Sequence, residues 1–204
     1  MVGAVVLSAG ASFRMGSPKA LLTIDGRTFL EHVVGVLRTA GIREIVIVLG
    51  ADAEVIRKSL PGLDEIMVVN EKWEQGQLSS IIAGLEAFPP RQPDGVLICP
   101  VDRPLMTPPL VTALVSAFVN SKEKIIVPVV HGRRGHPALF PRTRFEDLRN
   151  APAAIGARYL LHQNPLDVIE VLTEEEGATI NIDTPEEYRT HIRHERPAAD
   201  ESSV

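Results

Sequence analysis

Cysteine is almost absent: Cys99 is the single one in 204 residues. No internal disulfide is possible, and a reducing, cytoplasmic setting is expected. Cys99 itself lies in an apolar run and reads as a small buried hydrophobe. No apolar run reaches the length of a membrane span, so no membrane partner is expected. The apolar start, Met1 to Gly10, lacks a basic n-region and reads as a first strand rather than a signal peptide. Positive charge is not in excess either. Lys and Arg number 21 against 26 Asp and Glu, a net charge of −5, which argues against a protein that coats nucleic acid. A small anionic substrate would therefore need a locally positive site. Walker A (G-x-x-x-x-G-K-S/T) and G-x-G-x-x-G loops are both missing. So are internal repeats and any linker that would split the chain. One domain over 1–194 is expected, followed by a polar tail, 195–204, expected to be disordered.

What remains is an alternation of strand-like and helix-like segments. Hydrophobic residues make up 45% and charged residues 23%, enough for one α/β domain with a substantial core. Nearly all-apolar runs at 2–7, 44–49, 65–69 and 95–99 read as strands covered on both faces. Amphipathic segments at 28–40, 51–60, 78–88 and 107–120 read as helices, with Thr28 as a cap, Gly41 as a stop, Pro89-Pro90 as a stop and Pro108 early in its helix. Beyond them come strands at 124–130, 138–140, 167–172 and 178–182. Helices are expected at 145–150, 154–163 and from Pro185 to about His194. The closer spacing of the later strands predicts an antiparallel addition to a largely parallel sheet. In such sheets ligands bind beyond the carboxyl ends of the strands, and the unusual residues gather at those places.

The first is Leu7-Ser8-Ala9-Gly10-Ala11-Ser12-Phe13-Arg14-Met15-Gly16-Ser17-Pro18-Lys19. Its glycines let backbone approach a ligand, its N–H groups suit phosphate oxygens, and Arg14 and Lys19 add a fork and a point charge. A plain loop with solvated basic residues fits the composition equally well. The second is Cys99-Pro100-Val101-Asp102-Arg103-Pro104-Leu105, where Asp102 stands directly beyond a buried strand. Magnesium commonly uses one or two carboxylates plus substrate phosphates. The third is Asn181-Ile182-Asp183-Thr184-Pro185-Glu186. Asp183 could be a second metal ligand, or Asp183 or Thr184 could cap the last helix.

Taken together and in order, these segments resemble the molybdenum cofactor cytidylyltransferases, relatives of the guanylyltransferase that makes the dinucleotide form of that cofactor. The first loop matches L-A-A-G-x-S-x-R-M-G-x-x-K, with Ser8 in place of the first Ala. The Asp102 segment matches the metal-binding strand end, and Gly135-His136-Pro137 with Phe140 a G-H-P segment. Gly76-Gln77-Leu78-Ser79-Ser80 matches a Gly-rich segment before a helix, and the Asp183 segment the closing motif. The resemblance spans roughly residues 4 to 188.

It implies an α/β, Rossmann-like three-layer nucleotidyltransferase fold of the GT-A type, with a mostly parallel mixed sheet, shared with sugar-nucleotide enzymes. It implies that Leu7, Ala9, Gly10, Arg14 and Lys19 bind the triphosphate, with Arg14, Lys19 and Asp102 catalytic. Gly76, Gln77, Ser79 and Ser80 would contact base or ribose, and His136 could face the acceptor or simply lie in a basic turn between strands. Mg²⁺ would sit on Asp102 and Asp183. Ala9 resembles the cytidylyl group, where the guanylyl group has Gly, so CTP is the expected donor. The implied acceptor is the phosphate of molybdopterin-type cofactor, and a molybdenum enzyme receiving the product is an implied partner. The alternatives are GTP or another NTP, a sugar or alditol phosphate acceptor, or a non-catalytic cofactor chaperone. Trp73 could stack on a pterin but reads more simply as packing. Arg158, with Gly156 and Ala157, could point toward the site in the family pattern, but reads more simply as a helix-surface residue.

Overall fold

A computed structural model describes residues 1–89 and 93–192. Pro90, the end of the closing helix beyond 192 and the expected polar tail lie outside the described residues. In chain order the strands are β1 (Val2–Ser8), β2 (Thr23–Ile24), β3 (Arg27–Thr28), β4 (Ile45–Leu49), β5 (Ile66–Val69), β6 (Gly95–Pro100), β7 (Ile125–Val130), β8 (Arg133–Arg134), β9 (Ala138–Pro141) and β10 (Val168–Leu172). The α-helices are α1 (Phe29–Thr39), α2 (Ala53–Ser59), α3 (Gln77–Glu86), α4 (Pro108–Asn120), α5 (Phe145–Arg149), α6 (Arg158–Gln163) and α7 (Pro185–His191).

One sheet runs in the order β10-β7-β9-β6-β1-β4-β5, with β8 paired to β7 off this path. β1 pairs in parallel with β4 and β6, β4 with β5, and β7 with β10. β9 is antiparallel to both β6 and β7, which is the predicted antiparallel insertion.

The strand alternation decides the layers. Ala4 and Val6 of β1 face one core while Val5 and Leu7 face the other; Ile47 and Leu49 of β4 oppose Val46 and Val48 in the same way. Strands buried on both faces need helices on both faces. α1, α2 and α4 cover the first core and α3, α5 and α6 the second, giving three layers. α1 begins where the Thr28 side chain accepts from the Glu31 N–H and the Glu31 carboxylate accepts from the Thr28 N–H, a capping box. Its apolar residues Phe29, Leu30, Val33, Val34 and Leu37 recur at helical spacing and are buried. Phe29 and Phe118 are fully buried, each contributing roughly 2–3 kcal/mol of transfer free energy.

Two expected elements differ. Residues 178–182 are not a strand. A short 3₁₀ turn, Glu176–Ala178, precedes them, and the Ile182 N–H donates to the Asp102 carbonyl at 2.8 Å rather than to a strand edge. The segment thus crosses the carboxyl end of β6 instead of extending the sheet. The expected helix over 154–163 starts only at Arg158, because Gly156, at φ +68°, ends the separate turn that its N–H closes on the Pro152 carbonyl.

Candidate active site

The loop after β1 turns sharply. Ser12 sits at φ +47°, its carbonyl accepts from the Met15 and Gly16 N–H groups, and its hydroxyl accepts from the Lys19 N–H at 3.2 Å. The loop therefore folds back and returns Lys19 to the strand end. Among the described residues the N–H groups of Gly10 and Ala11 have no intramolecular acceptor, which leaves them free for an anion.

Lys19 is the centre of the site. Its Nζ donates to Asp102 Oδ2 at 3.3 Å and to Asp183 Oδ1, and Arg14 pairs with Asp183 Oδ2 at 3.0 Å. The Lys19 side chain is only 12% exposed, whereas Arg14 remains 69% exposed. Burial opposes ionisation of Asp183, but its bonds from Lys19 and Asn181 and the charge of Arg14 outweigh that and hold the carboxyl below the usual range. Thr184, not Asp183, caps α7: its hydroxyl accepts from the Glu187 N–H, and Glu187 returns the bond. The Asp183 side chain is thereby left to the site. The alternative reading of Asp183 as the cap does not hold.

A cleft of about 370 Å³ opens beside this cluster. Leu7, Ala9, Gly10, Lys19, Gly76, Gln77, Ser80 and Asp102 all line it, so the first loop and the Asp102 segment come together here with the Gly76 segment, while the Asp183 segment reaches Lys19 without lining the cleft. Arg14 and Asp183 do not line it; they stand behind Lys19. Gly76 has φ +100° and ψ 176°, a conformation open to glycine alone, and this lets Gln77 start α3 at the cleft wall. Ser79 departs from expectation. Its hydroxyl donates to the Lys72 and Gly76 carbonyls and accepts from Asn70 Nδ2 at 2.8 Å. It ties the turn before α3 together, and its single proton is already shared between those two carbonyls. Trp73 lines the cleft and also packs against the second core, so the packing reading is correct for part of the ring.

The expected positive pocket is not in this cleft. Asp52, Glu74 and Asp102 line it against one cation, Lys19. The cations lie instead in a second cavity of about 440 Å³, which shares Gly76 and Gln77 with the first and is lined by Arg103, Arg134, His136 and Arg158. His136 belongs here and not with the first cleft. The His136–Pro137 peptide is cis. Burial, together with the Arg103 charge, lowers the imidazole to about 4, so it is neutral at pH 7. Burial also lowers the Arg103 guanidinium, against the opposing pull of Asp102 and Asp183. Arg158 is on the cavity wall, so the helix-surface reading is incomplete. Sequence reasoning passed over Arg103 although it adjoins Asp102; nothing in the sequence says that neighbours in that turn face different cavities.

The donor set suits a hard divalent cation. Asp102 and Asp183 are brought onto one ammonium, and an acid-rich cleft that receives a polyphosphate needs a compensating cation. Among the described residues no group of three or more His, Cys, Asp or Glu is gathered. The chain would thus offer two carboxylates, leaving other positions to phosphate oxygens and water.

An open, mostly parallel sheet, with a backbone nest after a central strand and an acid at the end of its neighbour, defines the α/β nucleotidyltransferase class. The comparisons agree. The chain belongs to the MobA-like NTP transferase domain family, whose model matches residues 4–168. It is similar to the nicotine blue oxidoreductase of Paenarthrobacter nicotinovorans, 33% identical over 92% of this chain and 95% of that one. It is also similar to a probable molybdenum cofactor guanylyltransferase of Bacillus mycoides (strain KBAB4), 31% identical over 64% of this chain and 62% of that protein. Among solved structures, Rv0371c of Mycobacterium tuberculosis H37Rv superposes with TM-score 0.83 at 30% identity, covering 94% of this chain and 97% of that one. The same protein in complex with manganese gives TM-score 0.79 at 26% identity, covering 95% and 98%. Among the described residues no helix is long and apolar enough to cross a membrane.

Proposed function

We propose that this chain transfers the nucleotidyl group of an NTP to the phosphate of a molybdopterin-type acceptor, releasing pyrophosphate. The observation that carries the reading is the meeting of Asp102 and Asp183 on Lys19, with Lys19 and Asp102 lining the cleft. The free N–H groups of Gly10 and Ala11 suit the triphosphate, and Lys19 suits the charge on the departing pyrophosphate. Asp102 and Asp183 would hold Mg²⁺, which supplies charge neutralisation on the phosphates when bound. The manganese complex of the mycobacterial relative supports a divalent ion in this frame. An acceptor phosphate is already anionic near neutral pH, so no strong general base is required and the protein's task is alignment.

Ala9 is the ground for CTP. Ala9 is 6% exposed, and its Cβ lies only 2.9 Å from where a Cβ on Gly50 would fall, which gives the alanine a packing role independent of the base. The Bacillus relatives are named guanylyltransferases, so GTP stands beside CTP as the donor. The non-catalytic chaperone reading is disfavoured because both acids and both cations are present and in contact. The second reading is a redox activity, favoured by the name of the Paenarthrobacter relative. Incubation with each NTP, Mg²⁺ and molybdenum cofactor, read by pyrophosphate release and product mass, separates them. Turnover with CTP or GTP supports transfer. No turnover with any NTP, together with protein-dependent reduction of nicotine blue by a supplied hydride donor in a separate assay, establishes the redox reading instead.

A further inference from the structure

The segment 175–182 lies against the connection between β6 and α4, and its contacts run in antiparallel order. The Thr107 hydroxyl donates to the Glu175 carboxylate. Gly177 packs on Leu105, Arg103 Nη1 donates to the Ala178 carbonyl at 3.3 Å, and the Ile182 N–H donates to the Asp102 carbonyl at 2.8 Å. The connection carries Asp102, and the segment delivers Asp183. The segment has no place in the sheet, so these contacts, and not a strand ladder, fix its register on the Asp102 turn. Gly177 is not at positive φ, so space alone demands a glycine there. A Cβ on Gly177 would lie 2.3 Å from the Leu105 carbonyl oxygen and 2.8 Å from Leu105 Cβ. To reach ordinary contact the segment would have to back away by about 1 Å. Ala178 is held as closely: its carbonyl accepts from the His136 N–H at 2.8 Å, and a Cβ on Gly135 would lie 2.4 Å from that same oxygen. With Ala178 gripped in this way, a lift at Gly177 disturbs the course of the chain to Asp183.

We propose that Gly177 and Glu175 are positioning residues that set the spacing of Asp102 and Asp183, and through it the strength and selectivity with which a divalent cation is held. The inference rests on the reading of those two acids as the cation's ligands. Neither Gly177 nor Glu175 lines the cleft, so both act through the segment. Mg²⁺ demands near-ideal octahedral geometry at about 2.0–2.1 Å, whereas Ca²⁺ accepts irregular sites at about 2.3–2.6 Å. A carboxylate displaced by about 1 Å therefore costs Mg²⁺ more than Ca²⁺. The Glu175 latch works by a hydrogen bond, so an amide oxygen in its place can accept from Thr107 equally well. The loop after β1 takes its form from Ser12, whose carbonyl and hydroxyl hold Met15, Gly16 and Lys19. It is not built on the segment, and nucleotide affinity in the absence of metal should survive changes at Gly177 and Glu175.

The test is Mn²⁺ titration of the full chain, alone and with one equivalent of a non-hydrolysable CTP or GTP analogue. Electron paramagnetic resonance reads the bound ion, and Mg²⁺ and Ca²⁺ serve as competitors. Every variant is measured at a temperature where its melting curve shows it folded. Gly177→Ala should weaken Mn²⁺ binding about tenfold or more and lower the preference for Mg²⁺ over Ca²⁺ several-fold. A simple loss of folded protein would move both competitors equally. Glu175→Ala should weaken Mn²⁺ several-fold, and Glu175→Gln should restore it to within about twofold of wild type. Calorimetry with the analogue, without metal, should give each variant an affinity within about twofold of wild type. Should Gly177→Ala not fold, the Glu175 pair decides alone. Absence of Mn²⁺ binding by wild type beyond that of the analogue itself overturns the proposal. So does wild-type Mn²⁺ affinity in the alanine variants, an unchanged preference between Mg²⁺ and Ca²⁺ in Gly177→Ala, or a glutamine variant no better than the alanine. If the ratios come out as expected and no NTP turns over, the transfer reading falls and the positioning stands. If wild type releases pyrophosphate while the alanine variants hold Mn²⁺ as tightly as wild type, the positioning falls and the transfer reading stands.

Discussion

Asp102 and Asp183 accept hydrogen bonds from the same nitrogen, Lys19 Nζ. Two carboxylates would otherwise repel at this distance, and the ammonium is what lets them share a site. Asp102 reaches it from the end of β6 and Asp183 from the residue before the α7 cap. Asp102→Asn keeps the shape and removes the charge. Turnover should fall by about 10²-fold or more, on the scale of lost electrostatic stabilisation of a phosphoryl centre. Circular dichroism and the melting temperature should stay close to wild type, because the Asp102 side chain is 31% exposed and its pairing is partly screened. Near-normal pyrophosphate release would remove Asp102 from the catalytic group.

Lys19→Ala should act on both stability and rate. It leaves Asp183, whose side chain is 16% exposed, with Arg14 alone as a cation, at a cost of about 2 kcal/mol. Mg²⁺ or Mn²⁺ should raise the melting temperature of this variant more than that of wild type, since the cation competitor for the two carboxylates is gone. In catalysis the loss should fall on kcat. A change confined to KM would make Lys19 a uniform binder of the nucleotide.

The acid side follows from Asp183. Its folded pKa is depressed, so its contribution to stability is present above the unfolded carboxyl pKa and is lost as pH falls through the folded one. Urea unfolding of wild type and Asp183→Asn should differ at pH 7 and converge toward pH 3. A constant gap across that range would show that Asp183 stabilises through shape and not through charge.

How far the sequence carries can be seen at these same residues. The alternation of Ala4 and Val6 against Val5 and Leu7 is a backbone periodicity, so the two-faced sheet is legible without coordinates. The convergence of Lys19 and Asp102 follows from placing loops at strand ends; Asp183 joins them although the segment before it is not a strand. What is not legible depends on side-chain direction and saturation. Ser79 matches the motif, yet its hydroxyl proton is directed to the Lys72 and Gly76 carbonyls and its oxygen accepts from Asn70. The split between Asp102 and Arg103 arises from how one turn lies between two cavities. Ile180 and Ile182 alternate like a strand, but the segment meets the Asp102 carbonyl instead of a sheet edge.

His136 supplies a second pH signature of opposite chemistry. The unfolded imidazole takes a proton near pH 6.5, while the folded one waits until about 4. Between those values the unfolded state binds more protons, so stability falls as pH falls. The loss through the window amounts to up to about 3 kcal/mol. NMR titration of the imidazole should give a midpoint below 5, and His136→Gln should flatten the stability profile between pH 6.5 and 4. A midpoint at 6 or above would place His136 in contact with water or an acid, and not in the enclosed cationic cavity.

Two glycines separate damage to the site from damage to the core. A Cβ on Gly50 would lie 2.3 Å from the Ala9 carbonyl oxygen, the same oxygen that accepts from the Ala51 N–H at 3.1 Å. A Cβ on Gly84 would lie 2.4 Å from Val5 Cγ1, inside the second core. Both Gly50→Ala and Gly84→Ala should destabilise by overpacking, by about 1–3 kcal/mol each. Only the first pushes on backbone, and that backbone leads into the loop that carries Gly10, Ala11 and Lys19. Gly50→Ala should therefore weaken NTP binding several-fold at a temperature where the protein remains folded. Gly84→Ala, at matched fractional folding, should leave nucleotide affinity near wild type. Melting curves set the matched condition and calorimetric titration with CTP and GTP reads the affinity. Equal losses in the two variants would mean that the loop is not positioned by the Ala9–Ala51 bond, because a purely global loss of stability cannot distinguish one glycine from the other.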